Sequence, residues 1–153
     1  MQIRPYTPAD LDTVAGLVAL NTPAYFAPEE EEDFRLYLKN EAEDYFVVEI
    51  KGEIVGSGGI NYFPEEKLVR LSWDVIHPDF QGKGIGKNLT MHRLNYILTQ
   101  TPYKKVIVRT SQVVFPFYEK MGFHLEKVIP DYWAKGFDLY YMCYDFNPVN
   151  ILI

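Results

Sequence analysis

The sequence predicts a single α/β domain in which a mixed sheet carries helices on its faces. Three observations lead there. Residues 45 to 77 read as three consecutive strands joined by tight turns, and residues 68 to 110 read as strand, helix, strand. The 153 residues, 48% hydrophobic and 24% charged, suit one domain with a real core, and no linker, repeat or low-complexity segment divides 1–153.

The elements follow in order. Gln2 to Tyr6 is a short strand. Thr7-Pro8-Ala9-Asp10 supplies an N-cap, a proline at the first helical position and an acid three residues after the cap, so a helix starts there. Leu11, Val14, Ala15 and Val18 continue it at helical spacing until Asn21-Thr22-Pro23. A second helix follows Pro28, with the acids of Glu29 to Asp33 at its positive end and Phe34, Tyr37 and Leu38 as its apolar stripe. Tyr45 to Ile50 and Ile54 to Phe63 form a hairpin about Lys51-Gly52-Glu53. Pro64 to Lys67 turns the chain into Leu68 to His77, where Leu71, Trp73 and Val75 alternate with Arg70, Ser72 and Asp74. A glycine-rich turn then opens a helix reaching about Thr101, and Lys105 to Thr110 is a β-branched strand. Val114 to Met121 is a short helix stopped by Gly122, and His124 to Ile129 and Leu139 to Asp145 are the last strands.

Composition narrows the function. A net charge of −6 lacks the basic stripe that nucleic-acid binding requires, so no nucleic-acid partner is expected. The 12 Tyr, 10 Phe and 2 Trp exceed what such a core needs, and some rings are expected to line a cleft. Cys143 is the only cysteine, which rules out an internal disulfide and reads as an inert buried thiol. No signal peptide and no apolar run of membrane length is visible, so a cytoplasmic protein without a membrane partner is the expectation.

Gln81-Gly82-Lys83-Gly84-Ile85-Gly86 places three alternate glycines between a strand and a helix, where backbone N–H groups converge on an anion and the helix adds its dipole. The arrangement suits a pyrophosphate. A Walker loop would need glycine at 81 and Ser or Thr at 88, where Gln81 and Asn88 stand. A dinucleotide fingerprint fails at Lys87 or at Leu89, depending on its starting glycine. Lys83 and Lys87 either neutralise phosphates or are solvated surface lysines.

Gln81, Gly84 and Gly86 resemble the signature of the GCN5-related N-acetyltransferases, the GNAT family: Gln or Arg, two residues, Gly, one residue, Gly or Ala. Ile76 to Phe80 resembles the family's approach to that turn, and Phe117-Tyr118-Glu119-Lys120-Met121-Gly122-Phe123 is similar to its downstream Tyr-Glu-Lys-x-Gly-Phe segment. The resemblance implies about seven strands in a central mixed sheet with about four helices, the acyl-CoA N-acyltransferase architecture. It also implies a transferase that takes acetyl-CoA as cosubstrate, needs no metal, and passes the acetyl group directly to an amine. By the same resemblance Val75, Ile76, Gln81, Gly82, Lys83, Gly84, Ile85, Gly86, Lys87 and Ser111 would bind the cofactor. Backbone amides from Asp74 to Ile76 would polarise the thioester carbonyl. Tyr118 would be the general acid, a phenol protonated at neutral pH.

Two positions depart from the family pattern. Arg70 stands where some relatives carry a catalytic glutamate, and Ser111 where an asparagine is frequent. Asp74 is then the candidate base, with a structural hydrogen bond or a water chain as the alternatives. These departures also keep open a catalytically silent acyl-CoA-binding module. Asp131-Tyr132-Trp133, Phe137-Asp138 and Tyr140-Tyr141 are expected to form an aromatic, acidic loop facing an ammonium-bearing acceptor, a small molecule or a peptide, with Asn21 to Phe26 opposite. The run from Glu29 to Asp33 is either a solvated helix start or an amine trap. The apolar tail Pro148 to Ile153 is expected to extend a strand, pack on its own domain, or form a homodimer contact.

Overall fold

A computed structural model describes residues 1–146, so the expectation for the apolar tail lies outside the described residues. The elements are β1 (Gln2–Pro5), α1 (Leu11–Leu20), α2 (Glu30–Asn40), β2 (Asp44–Ile50), β3 (Glu53–Phe63), β4 (Leu68–Ile76), α3 (Ile85–Gln100), β5 (Lys105–Thr110), α4 (Phe115–Lys120), β6 (His124–Ala134) and β7 (Phe137–Asp145). The strands form a mixed sheet in the order β1-β2-β3-β4-β5-β7-β6. β4 pairs parallel with β5, Val69 to Leu71 against Val106 to Val108, because the α3 crossover lies between them; β1 with β2, β2 with β3, and β7 with both β5 and β6 run antiparallel.

Three elements differ from expectation. The first helix begins as a 3-10 turn over Pro8–Asp10, pinned by the Thr7 amide donating to the Asp10 carboxylate at 2.9 Å. The β4 alternation breaks at Trp73, whose φ of +52° is left-handed. β6 runs to Ala134 rather than stopping at Ile129. Pro130 and Asp131 look like strand breakers in sequence, but Asp131 takes a φ of +53° within a register shift between Ile129 and Ala134, and the strand resumes.

Two compact units make up the described chain, the first of residues 1–61 and 72–93, the second of residues 62–71 and 94–146. The first has a core of Val14, Leu17, Val18, Phe34, Tyr37, Leu38, Tyr45, Val47 and Val75, with Trp73 and Phe26 packed against it. Phe34 stacks on Trp73 at 4.7 Å between ring centroids, and the Tyr45 hydroxyl donates to the Trp73 carbonyl at 2.8 Å. The left-handed backbone at Trp73 is therefore held by a stacked ring and a hydrogen bond. Truncating a fully buried ring such as Phe34 to Ala costs about 3–5 kcal/mol. In the second unit Leu68, Ile107 and Cys143 pack with Phe63 and Tyr141, while Phe123 sits between Tyr118 and Tyr144 at 5.5 and 5.4 Å.

Candidate functional site

In the first unit the chain leaves β4 through a 3-10 turn, Pro78–Phe80, capped by His77, whose Nδ1 accepts from the Asp79 amide at 3.1 Å. It then enters the glycine turn. Gly82 and Gly84 have φ of +75° and +83°, a conformation that disfavours any side chain. No atom lies within 4 Å of where a Cβ would stand on either glycine, so backbone conformation, not crowding, selects them. The first i to i−4 bond of α3 runs from the Asn88 amide to the Gly84 carbonyl at 3.0 Å. The amides of Ile85, Gly86 and Lys87 precede it and lie at the positive end of a helix of 16 residues. Gly82, Lys83, Gly84 and Lys87 are exposed and Ile85 is buried, so the turn presents amides and two ammonium groups outward from an anchored base. The Lys83 ammonium lies 5.2 Å from the Phe80 ring centroid.

Gln81 anchors this turn with its side chain. Its Nε2 donates to Asn21 Oδ1 at 2.8 Å and to the Ile76 carbonyl at 3.3 Å, while Asn21 Nδ2 donates to the carbonyls of Leu17 and Ile76 at 2.8 and 3.0 Å. The end of α1, the end of β4 and the glycine turn are thus tied through two amide side chains. Asn21, expected in an acceptor wall, is 4% exposed and engaged in this knot. Ile76 contributes its carbonyl to the knot, and Val75 is a core residue.

Asp74, the candidate base, forms a two-pronged pair with Arg93, Oδ1 to Nη1 at 2.6 Å and Oδ2 to Nη2 at 2.7 Å. The Arg93 side chain is 0% exposed and also donates to the Gly59 carbonyl at 3.0 Å. A Cβ on Gly58 would stand 2.8 Å from Asp74 Oδ1 and 2.9 Å from Arg93 Nη1, so the glycine makes room for the pair. Sequence reading missed Arg93. Its signal was available: Leu89, Arg93 and Ile97 fall at i, i+4 and i+8, which puts a charge on the apolar stripe of α3.

In the second unit Ser111 is buried, its Oγ accepting from the Val113 amide at 3.2 Å and its carbonyl from the Phe115 amide at 2.9 Å. It starts the turn into α4. Tyr118 on α4 is 2% exposed and lies edge-on to Phe117 at 5.0 Å. Arg70 stacks over Phe63 at 4.9 Å.

The aromatic, acidic segment is the stem of the β6–β7 hairpin rather than a loop. Asp131 Oδ1 accepts from the Gly136 amide at 2.8 Å and Asp138 Oδ1 from the Asp131 amide at 2.9 Å, so both acids hold the turn. Gln112 bridges to it, donating to the Gly136 carbonyl at 2.6 Å and accepting from the Asp138 amide at 2.9 Å, and Trp133 Nε1 donates to the Thr110 carbonyl at 3.1 Å. Against this stem stands Arg109, 5.7 Å over the Trp133 ring, with a buried Nε that has no partner among the described residues. The acids of Glu29 to Asp33 likewise serve the start of α2. Glu30 accepts from the Ala27 amide at 3.0 Å, with burial raising its pKa, and Glu31 pairs with Arg35 at 3.4 Å. No helix among the described residues is long and apolar enough to cross a membrane.

Comparison with known proteins bears on the family and the fold. A family model described as "Acetyltransferase (GNAT) domain" matches residues 15–145. An uncharacterized N-acetyltransferase of Porphyra purpurea is 46% identical over 52 residues, 33% of this chain and 29% of that protein. An amino-acid acetyltransferase of Mannheimia succiniciproducens is 24% identical over 120 residues, 78% of this chain and 27% of that protein. The chain therefore spans less than a third of either relative. The crystal structure of an aminoglycoside 6'-N-acetyltransferase complexed with coenzyme A superposes with a TM-score of 0.78 at 16% identity, covering 97% of this chain and 98% of the other, which shows a shared fold. With its signature turn, its strand order and a family model over most of its length in agreement, the chain belongs to the GNAT acetyltransferase family.

Proposed function

We propose that the protein is an acetyl-CoA-dependent N-acetyltransferase that joins both substrates in one complex and transfers the acetyl group directly to a primary amine. The observation that carries this reading is the outward-facing turn from Gly82 to Lys87, with its left-handed glycines, the amides of Ile85 to Lys87 and two exposed lysines. These groups fit the pyrophosphate of coenzyme A, and the structural neighbour with coenzyme A in its crystal supports that fit.

Acetyl-CoA supplies an activated acetyl thioester, and the chain supplies position and proton management. Backbone amides of Val75 and Ile76 hold the pantetheine arm, the glycine turn holds the pyrophosphate, and Ser111, whose hydroxyl is shorter than the family's frequent asparagine and keeps its own proton to donate, reaches the cofactor through water. Tyr118 protonates the departing thiolate; a phenol with a pKa of about 10 keeps that proton at neutral pH. Asp74 is a positioning residue, since both of its oxygens face the buried Arg93, and the acceptor ammonium loses its proton to water. On the acceptor side Arg109 is the cation beside Tyr132 and Trp133, whereas Asp131 and Asp138 are engaged in the hairpin. The acceptor is therefore an amine that also carries a carboxylate or phosphate.

The test is thermal stabilisation by coenzyme A together with thiol release from acetyl-CoA across a panel of amino acids, amino-sugar phosphates, polyamines, aminoglycosides and peptides. Stabilisation with thiol release supports the transferase. Stabilisation with no release from any amine favours the silent acyl-CoA-binding module, which Arg70 stacked on Phe63 and the engaged Ser111 hydroxyl would suit. No stabilisation by coenzyme A sinks both.

A further inference from the structure

The second unit holds a donor cluster that the transferase reading does not use. His124 on β6 lies directly opposite Cys143 on β7, and Asp145 follows Cys143 on the same strand face. One ligand atom from each of these three residues lies within 4.8 Å of the others. Glu126 joins them, its Oε1 3.9 Å from His124 Nε2. We propose that His124, Cys143, Asp145 and Glu126 form a tetrahedral zinc site that staples β6 to β7.

The donor chemistry selects the ion. An imidazole, a thiol and two carboxylates suit a borderline-soft cation that accepts four mixed ligands, and the sulfur disfavours magnesium and calcium. Zinc bonds of about 2.0–2.3 Å put tetrahedral ligands roughly 3.5 Å apart, so rotamer changes of about 1 Å bring His124, Cys143 and Asp145 onto one ion, and Glu126 supplies the fourth bond from beside His124. Charge agrees as well. Glu126 and Asp145 contribute two negative charges and Lys105, 3.9 Å from Glu126 Oε1, one positive. Adding a divalent ion and ionising the thiol brings the cluster to neutrality. Access is available because His124 is 60% exposed while Cys143 is 1% exposed, which puts the imidazole at the mouth of the site and the sulfur at its floor.

Position gives the site a structural role. Asp145 pairs with Lys105, the first residue of β5, whereas Tyr140 pairs with Thr110 at the other end, next to Ser111. β6 is the outermost strand, and every residue from His124 to Tyr132 is exposed. A metal cross-link at its start holds an edge strand that has little burial of its own.

The test uses the full chain stripped with EDTA and titrated at neutral pH with zinc or cobalt(II). Expected are one saturable zinc site, a higher melting temperature, and a cobalt complex with an intense near-ultraviolet thiolate band and tetrahedral visible bands. His124→Ala, at an exposed position, should leave the metal-free circular dichroism and melting unchanged and weaken zinc binding about 10-fold or more. Cys143→Ser should remove the thiolate band; if it does not fold, His124→Ala decides alone. The proposal is overturned by no saturable zinc binding, by His124→Ala binding as tightly as the parent, or by a cobalt complex without the sulfur band.

Discussion

The carboxylate of Asp74 grips Arg93 through two parallel hydrogen bonds of 2.6 and 2.7 Å, and the guanidinium it holds is wholly buried. Removing one partner of such a pair strands a charge away from water, at a cost of about 3–5 kcal/mol. Asp74→Asn should therefore lower stability by that order in urea unfolding. The folded fraction should keep the parent's dependence of kcat/KM on pH. Loss of the acid limb of that profile, the limb on which a base becomes protonated, with stability intact, would return Asp74 to the role of base.

Tyr118→Phe should reduce kcat by about 10²-fold, the ordinary contribution of a placed general acid, while stabilisation by coenzyme A stays unchanged. The phenyl ring preserves the edge contacts with Phe117 and Phe123, so a fold defect is not expected. Full turnover with an unaltered pH profile would leave Tyr118 a packing residue.

Two glycine substitutions separate conformation from space. At neither Gly84 nor Gly16 does an atom lie within 4 Å of where a Cβ would stand, but Gly84 has a φ of +83° and Gly16 lies within α1. Gly84→Ala should cost about 1–2 kcal/mol and weaken coenzyme A binding. Gly16→Ala should stabilise by about 0.5–1 kcal/mol with no effect on the ligand. Parallel melting curves with and without coenzyme A check both.

Arg109→Gln should lower kcat/KM for amines that carry a carboxylate or phosphate by about 10-fold or more, the scale of a lost charge-assisted hydrogen bond. Neutral amines should be affected little. Equal losses for both classes would assign Arg109 to holding Trp133 instead.

Asp10 sets an acid limit on the amino-terminal strand. Its hydrogen bond with Arg4, ahead of the opposing effect of burial, lowers its pKa to about 2, against about 3.9 for a free aspartate. A depressed folded-state value means the stabilisation is complete above about pH 4 and disappears as pH falls toward about 2. Asp10→Asn should cost about 1 kcal/mol near neutrality and flatten that acid limb in unfolding curves taken across pH.

By itself the sequence determined the order of the elements and the cofactor signature. Hairpin turns, the capping residues at Thr7 to Asp10 and the glycines at 82, 84 and 86 act over a few residues, and such local chemistry can be read along a chain. The tertiary structure alone decided how the polar groups are used. Gln81 turned out to knot with Asn21, a partner 60 residues away. Asp74 meets Arg93 only because β4 packs under α3 and Gly58 leaves the space. Asp131 to Trp133, expected in a loop, lies instead in β6, which the register shift after Ile129 and the Gly136 amide donating to Asp131 carry onward. A carboxylate or amide looks the same in sequence whether it serves chemistry or a turn. Its use depends on which donors stand within about 3 Å, a distance that only the packed chain sets.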